Sequence, residues 1–199
     1  MSGPAFDLRR FMFRIRSYTP IPFLLLMLAF ARPTLWSFLA GALLIVAGEG
    51  LRFWGVSIAG SETRTTGGVG GTYLITNGPF AYVRNPLYVG NMIMYAGVGV
   101  MSLALFPWLT IAALLWFVLQ YALIVKAEEE YLAERFGAPY AEYCRQVPRF
   151  LPRPSPFRSP EPPAKGVSFA EGLASERRTL QAIGLVVLVL AGMTLFRQP

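Results

Sequence analysis

Five apolar runs govern what this chain can become, because a helix needs roughly 20 apolar residues to cross a bilayer and about 17 at the least. They are residues 21–31 (IPFLLLMLAFA, extended by Tyr18, Thr19 and Pro20), 34–60, 87–105, 108–125 and 180–196. At 54% hydrophobic residues and a mean hydropathy of +0.47, the chain is too apolar for an ordinary soluble domain. The expectation is an all-α integral membrane protein with about five transmembrane helices. Run one also has the look of a secretory signal, with a basic front, a short apolar core and AFA at 29–31. Pro20, Pro22 and the immediate second run favour a helical hairpin instead.

The distribution of Lys and Arg orients such a bundle, since cytoplasmic connections carry the excess. Four arginines precede the first run (Arg9, Arg10, Arg14 and Arg16), and Arg32 alone stands in the first turn. Arg64 and Arg84 lie between runs two and three, none between three and four, and nine between four and five, from Lys126 to Arg178. High and low counts alternate, which predicts a multi-pass protein with its N-terminus in the cytoplasm, a bacterial inner membrane being the favoured location. The net charge of +7 does not point to nucleic acid, because the basic residues flank apolar runs and form no single stripe. The absence of histidine removes imidazole acid–base chemistry and His-ligated metal sites. Cys144, the single cysteine, allows neither an intrachain disulfide nor a thiolate cluster, so no metal is expected.

Residues 152–163, PRPSPFRSPEPP, read as an extended proline-rich linker. The expected organisation is a core at 1–152 with its motif region at 72–152, a linker and cytoplasmic segment at 153–179, and a C-terminal transmembrane helix at 180–199.

Three stretches carry residues able to do chemistry. In YVRNPLYVG, 82–90, Pro86 suits the first turn of a helix, where its missing N–H costs nothing. Arg84 and Asn85 then sit at the helix mouth, where free N–H groups and a fixed cation can hold a carboxylate. The alternative is that Arg84 reaches lipid phosphate and that Tyr82 and Tyr88 belong to the interfacial aromatic belt. In EEEYLAERFG, 128–137, a helical projection puts Glu128, Tyr131, Leu132, Arg135 and Phe136 on one arc, with Glu129 at its edge. Glu130 and Glu134 point away. An acid on a packed face at a membrane needs a partner, either a structural arginine or a ligand ammonium. In FGAPYAEYCRQVPRFLP, 136–152, Gly137 ends one helix and Pro139 restarts another, with Tyr140, Tyr143, Phe150 and Arg149 in reach of the bundle mouth. This segment reads as a cytoplasmic amphipathic lid, or as a plain interfacial helix. Glu49 and Arg52, at i and i+3 in run two, read as a structural ion pair. The glycine-rich 65–71, TTGGVGG, has neither the lysine of a phosphate loop nor dinucleotide-binding spacing.

Taken in order, RNPLY at 84–88, EEEYL at 128–132, FGAPYAEY at 136–143 and VPRFLP at 147–152 resemble the isoprenylcysteine carboxyl methyltransferase family, itself related to phospholipid methyltransferases. The resemblance spans residues 72–152. It implies S-adenosyl-L-methionine as cofactor, bound on the cytoplasmic side, and a lipophilic methyl acceptor that enters from the bilayer. Leu132 and Phe136–Gly137 fix the register, so the family's acidic pair falls on Glu128 and Glu129. By the same resemblance Val83, Arg84, Asn85, Tyr88, Gly90, Glu128, Glu129, Tyr140 and Arg149 are candidates for cofactor binding, and Arg84 and Asn85 for catalysis. Asn85 stands where the prenylcysteine enzymes carry histidine, which bears on the substrate. Carboxyl methylation is the first expectation. Phospholipid N-methylation, NADPH-dependent reduction on the same scaffold and non-enzymatic lipid binding remain as alternatives. A reductase needs an arginine cluster for its phosphates, which the sequence does not offer, and a passive lipid binder leaves the ordered motifs unexplained.

Overall fold

The computed structural model describes residues 8–60, 73–160, 162 and 166–196. All regular structure in these residues is helical: α1 Leu8–Ile15, α2 Pro20–Ala29, α3 Leu35–Ala59, a 3-10 turn Gly78–Ala81, α4 Pro86–Ser102, α5 Trp108–Phe136, α6 Ala138–Gln146 and α7 Phe169–Phe196. The glycine-rich 65–71 and residue 72 lie outside the described residues.

Three helices, α3, α5 and α7, are long and apolar enough to cross a membrane. Of the other two expected spans, α4 has 17 residues and α2 only 10. At about 1.5 Å per residue, α2 covers roughly half the thickness of a hydrocarbon core. It stops where it does because Pro33 restricts the residue before it and cannot continue a helix. The first run is therefore a short helix wedged against the bundle. Its Phe23 meets Phe117 of α5 edge-on, with ring centroids 5.7 Å apart.

Helix α3 starts cleanly because Thr34 and Ser37 cap each other's backbone N–H groups. It then runs antiparallel to α4 along a glycine seam. A Cβ at Gly41 would stand 2.5 Å from both the Gly97 carbonyl oxygen and Met101 Cβ, and one at Gly48 would stand 2.7 Å from the Gly90 carbonyl oxygen. Such small residues let two backbones approach closely, which is how helices associate in lipid, where apolar burial provides little drive. The seam is pinned at one end by Arg32 N–H donating to the Ser102 carbonyl at 2.8 Å and by Ser37 Oγ donating to the Met101 carbonyl at 3.2 Å.

The core lies among α2, α3, α4, α5 and α7, around Met27, Ile45, Met101, Phe117, Ile124 and Leu190. Tyr95 stacks on Phe117 at 4.2 Å and Tyr88 lies over Tyr121 at 4.5 Å. Outward-facing Trp36, Leu43, Leu119 and Leu188 are exposed, as lipid-facing side chains must be.

A second, smaller core caps one end of the bundle. Gly137, at φ +56°, closes α5 and turns the chain into α6. Tyr140, Tyr143, Val147 and Phe157 then pack on Ala81, with Leu132 at the edge. The segment after α6 returns along 81–84. Arg84 N–H donates to the Pro148 carbonyl, Arg153 N–H to that of Tyr82 and Phe157 N–H to that of Ala81, each at 2.9 Å.

The last helix begins at Phe169, eleven residues before the expected span at 180. The boundary falls there because Gly172, Ser175, Glu176 and Thr179 form a narrow small-and-polar stripe that lowers local hydropathy yet packs inward. Ser168 N–H donates to the Ser57 carbonyl at 2.7 Å, and a Cβ at Gly172 would clash with Ser57 Oγ. The segment expected to separate the last helix from the core therefore includes about three turns of helix, docked on α3.

Candidate functional site

A cavity of about 560 Å³ opens inside the bundle at the end where the motifs lie. Every helix contributes to its wall. Phe13 and Arg16 come from α1 and its turn, Arg52 from α3, Tyr88 and Asn91 from α4, Glu128 and Glu129 from α5, Tyr140 from α6 and Glu176 from α7.

The two acids singled out by helical projection are separated in role. Glu128 accepts a hydrogen bond from Tyr88 Oη at 2.9 Å and forms no ion pair among the described residues. Glu129 is enclosed by two arginines. Arg84 Nη2 lies 3.0 Å from its Oε1, Arg149 Nε donates to Oε1 at 3.0 Å, and Arg149 Nη2 bonds to Oε2. Glu130 turns outward, 54% exposed in its side chain, and pairs with Arg9 at 2.7 Å. Glu134 is exposed. Arg135 also leaves the packed arc. It is exposed, donates to Tyr131 Oη at 3.0 Å and covers the Phe136 ring.

Pro86 opens α4 as expected, and Arg84 and Asn85 precede it. Their polar groups are largely engaged within the chain. Arg84 Nη1 donates to the Cys144 carbonyl at 3.0 Å, and Asn85 Nδ2 donates to the Arg149 carbonyl at 3.0 Å. The carboxylate that Arg84 meets is that of Glu129. Arg84 Nε is buried and has no acceptor among the described residues. The mouth of α4 and the 144–149 segment are thus clipped together by side chains as well as backbone.

Of the nine residues expected at the site, Arg84, Asn85, Tyr88, Glu128, Glu129 and Tyr140 line the cavity. Val83, Gly90 and Arg149 do not. Val83 is buried in packing. Gly90 belongs to the α3–α4 seam, where a Cβ would meet Arg52 Cγ at 2.6 Å. Arg149 acts from behind, through Glu129, whose hydrogen bonds hold its guanidinium above the ordinary arginine range. Burial pushes the Tyr140 and Tyr143 phenols well above theirs, so both stay protonated, and Tyr143 Oη donates to the Phe80 carbonyl at 2.8 Å.

Sequence reasoning missed the inner pole of the cavity. Arg52 Nη2 donates to both carboxylate oxygens of Glu176 at 2.7 Å, whereas its expected partner Glu49 lies 3.6 Å from Nε. Arg52 Nη1 also donates to Asn91 Oδ1 at 2.6 Å. The i, i+3 spacing indicated the Glu49 contact but not the closer one, made by a residue 124 positions away. The signal available was the 3.6-residue spacing of Gly172, Ser175, Glu176 and Thr179.

Residues 36–139, slightly more than half the chain, match the phospholipid methyltransferase family. Among individual proteins, the chain is 39% identical over 85 residues to the cobalt-zinc-cadmium resistance protein CzcN of Cupriavidus metallidurans, covering 43% of this chain and 38% of that one. It is 38% identical over 90 residues to the nickel-cobalt-cadmium resistance protein NccN of Alcaligenes xylosoxydans xylosoxydans, covering 44% and 40%. It is 34% identical over 79 residues to the protein-S-isoprenylcysteine O-methyltransferase of Schizosaccharomyces pombe, covering 40% and 33%. The matched part spans about two fifths of the length of the first two relatives. No solved structure matches.

Proposed function

The chain belongs to the phospholipid methyltransferase family, and on that premise we propose that it is an S-adenosylmethionine-dependent integral membrane methyltransferase acting on a lipophilic carboxylate. The observation that carries this reading is Glu128, an acid on the cavity wall with a phenol donor and, among the described residues, no salt bridge. A ligand ammonium supplies what that carboxylate lacks. The remaining donors fit the same cofactor. Arg16 brings a cation to the cavity wall, suited to a carboxylate. Tyr88 and Tyr140 offer ring faces to a flat base.

When bound, S-adenosylmethionine supplies an electrophilic methyl group on a sulfonium. The chain's own residues orient and dehydrate. Glu129, Arg84, Arg149 and Asn85 hold the 144–150 segment over the mouth of α4 as a cap, and Val56, Leu87 and Leu132 keep the walls apolar. An anionic nucleophile approaching a sulfonium loses charge at the transition state, so a dry site favours transfer. A carboxylate acceptor is already ionised near neutral pH and needs no base, which suits a chain without histidine. Its apolar part lies among the helices, entering from the bilayer across a five-helix bundle whose N-terminus and cap are cytoplasmic. The protein-S-isoprenylcysteine O-methyltransferase relatives support this acceptor class.

The second reading is methylation of a lipid amine, for which the match to the phospholipid methyltransferase family speaks; such an amine must first lose a proton to become a nucleophile. One experiment tests both. Purified protein in nanodiscs is given methyl-labelled S-adenosylmethionine with a prenylated cysteine or with an aminophospholipid. Label in the first, released by mild base as a methyl ester is, supports carboxyl methylation. Label in the second alone supports the amine. Label in neither, with no binding of S-adenosylhomocysteine by calorimetry, overturns the methyltransferase reading.

A further inference from the structure

The two poles of the cavity are joined by one continuous line of contacts. Arg52 Nη2 holds both oxygens of Glu176, and Arg52 Nη1 donates to Asn91 Oδ1. Arginine is donor-only, so it fixes which way the Asn91 amide faces, and Asn91 Nδ2 turns to Tyr121 Oη at 3.3 Å. The Tyr121 ring lies over the Tyr88 ring at 4.5 Å, and Tyr88 Oη donates to Glu128 at 2.9 Å. Glu176 itself is 1% exposed in its side chain.

Resting on the proposed cofactor role of Glu128, we infer that Glu176 of α7 is a positioning residue for it. Each link in the line removes a freedom from the next. The Glu176–Arg52 pair sets the amide of Asn91, the amide sets the phenol of Tyr121, and the stacked rings set the direction from which Tyr88 addresses Glu128. Only one Glu128 oxygen is bonded by Tyr88, so the carboxylate is held while its other oxygen is presented to a ligand. Polar side chains bonded in series at a buried site restrict one another's geometry. Helix α7 lies wholly outside the part of the chain that matches the family, so the far end of this line is supplied by an element the family match does not cover.

The test is a double-mutant cycle read as S-adenosylhomocysteine affinity by calorimetry, with thermal melting of each variant alongside. The variants are Glu176→Gln, Glu128→Gln and the pair. Glu176→Gln leaves Glu49 near Arg52 to offset its charge. Asn91→Leu, alone and with Glu128→Gln, breaks the line at its middle and leaves the Arg52–Glu176 pair intact.

The expected result is that Glu176→Gln and Asn91→Leu each weaken binding roughly three- to tenfold in the native background and hardly at all once Glu128 is glutamine. Equal losses in both backgrounds mean direct ligand contact or general loosening and overturn the inference. So does unchanged affinity in either single variant. If Glu176→Gln does not fold, Asn91→Leu decides by the same criteria. Absence of binding by the wild type overturns the cofactor reading, and this inference with it, whereas binding lost in Glu128→Gln but untouched in the other two overturns the inference alone.

Discussion

The Arg84 guanidinium reaches the Glu129 carboxylate at 3.0 Å with one nitrogen and the Cys144 carbonyl at 3.0 Å with another. The forked shape of arginine therefore ties the mouth of α4 to both α5 and α6. A lysine keeps the charge but can make only one of these two contacts in place. Arg84→Lys is expected to lower methyl transfer at least about tenfold and to destabilise the protein by about 1.5–3 kcal/mol, the worth of one charged hydrogen bond. Labelled-methyl transfer and thermal melting check the two effects. Full activity in the variant would mean that the two-pronged contact of Arg84 is not needed for methyl transfer.

The split between neighbouring glutamates gives a second expectation. Glu128→Ala should weaken S-adenosylhomocysteine binding about tenfold to a hundredfold, the equivalent of roughly 1.5–3 kcal/mol. Glu130→Ala removes an exposed pair with Arg9, worth at most about 1 kcal/mol of stability, and should leave binding unchanged. Glu129→Ala should fall between, because it frees the cap rather than removing a direct contact. Calorimetry on the three variants checks this order, and equal affinities would refute it.

The sequence made this split legible because helical periodicity is a local property. A 100° step per residue is enough to turn Glu128 inward and Glu130 outward. Pro86 likewise marked the start of α4 by its own chemistry. What could not be read was pairing across distance. Arg52 carries an acid three residues away, yet its bidentate partner is Glu176, on a helix whose first turns looked like part of a polar linker. Gly90, two positions after a motif tyrosine in sequence, faces a different helix from that tyrosine, because its neighbours are set by the α3–α4 seam. The first apolar run was read as a span from composition, and its 10-residue helix reflects the prolines that bound it.

The seam supplies a third expectation. At Gly97 a methyl group would stand 2.8 Å from the Gly41 carbonyl oxygen and from Ile45 Cγ1. Gly97→Ala should cost about 1–3 kcal/mol through overpacking, whereas Gly192→Ala, with nothing within 4 Å, should be neutral or slightly stabilising. Melting curves in one detergent compare them. Equal stability of the two variants would mean that α3 and α4 are not held backbone to backbone.

Topology gives a fourth. On a Cys144→Ser background, Phe106→Cys in the α4–α5 turn and Ser155→Cys after α6 should react with a membrane-impermeant thiol reagent from opposite sides of the membrane. Both positions are exposed. Modification of both from one side would exclude the proposed arrangement of spans.

Because the glycine seam joins α3 and α4 along most of their length, that flank of the bundle is sealed as tightly as one folded ribbon. No hydrocarbon tail slips between two backbones in van der Waals contact. Any lateral doorway for a long-chain molecule therefore lies elsewhere on the perimeter of the bundle.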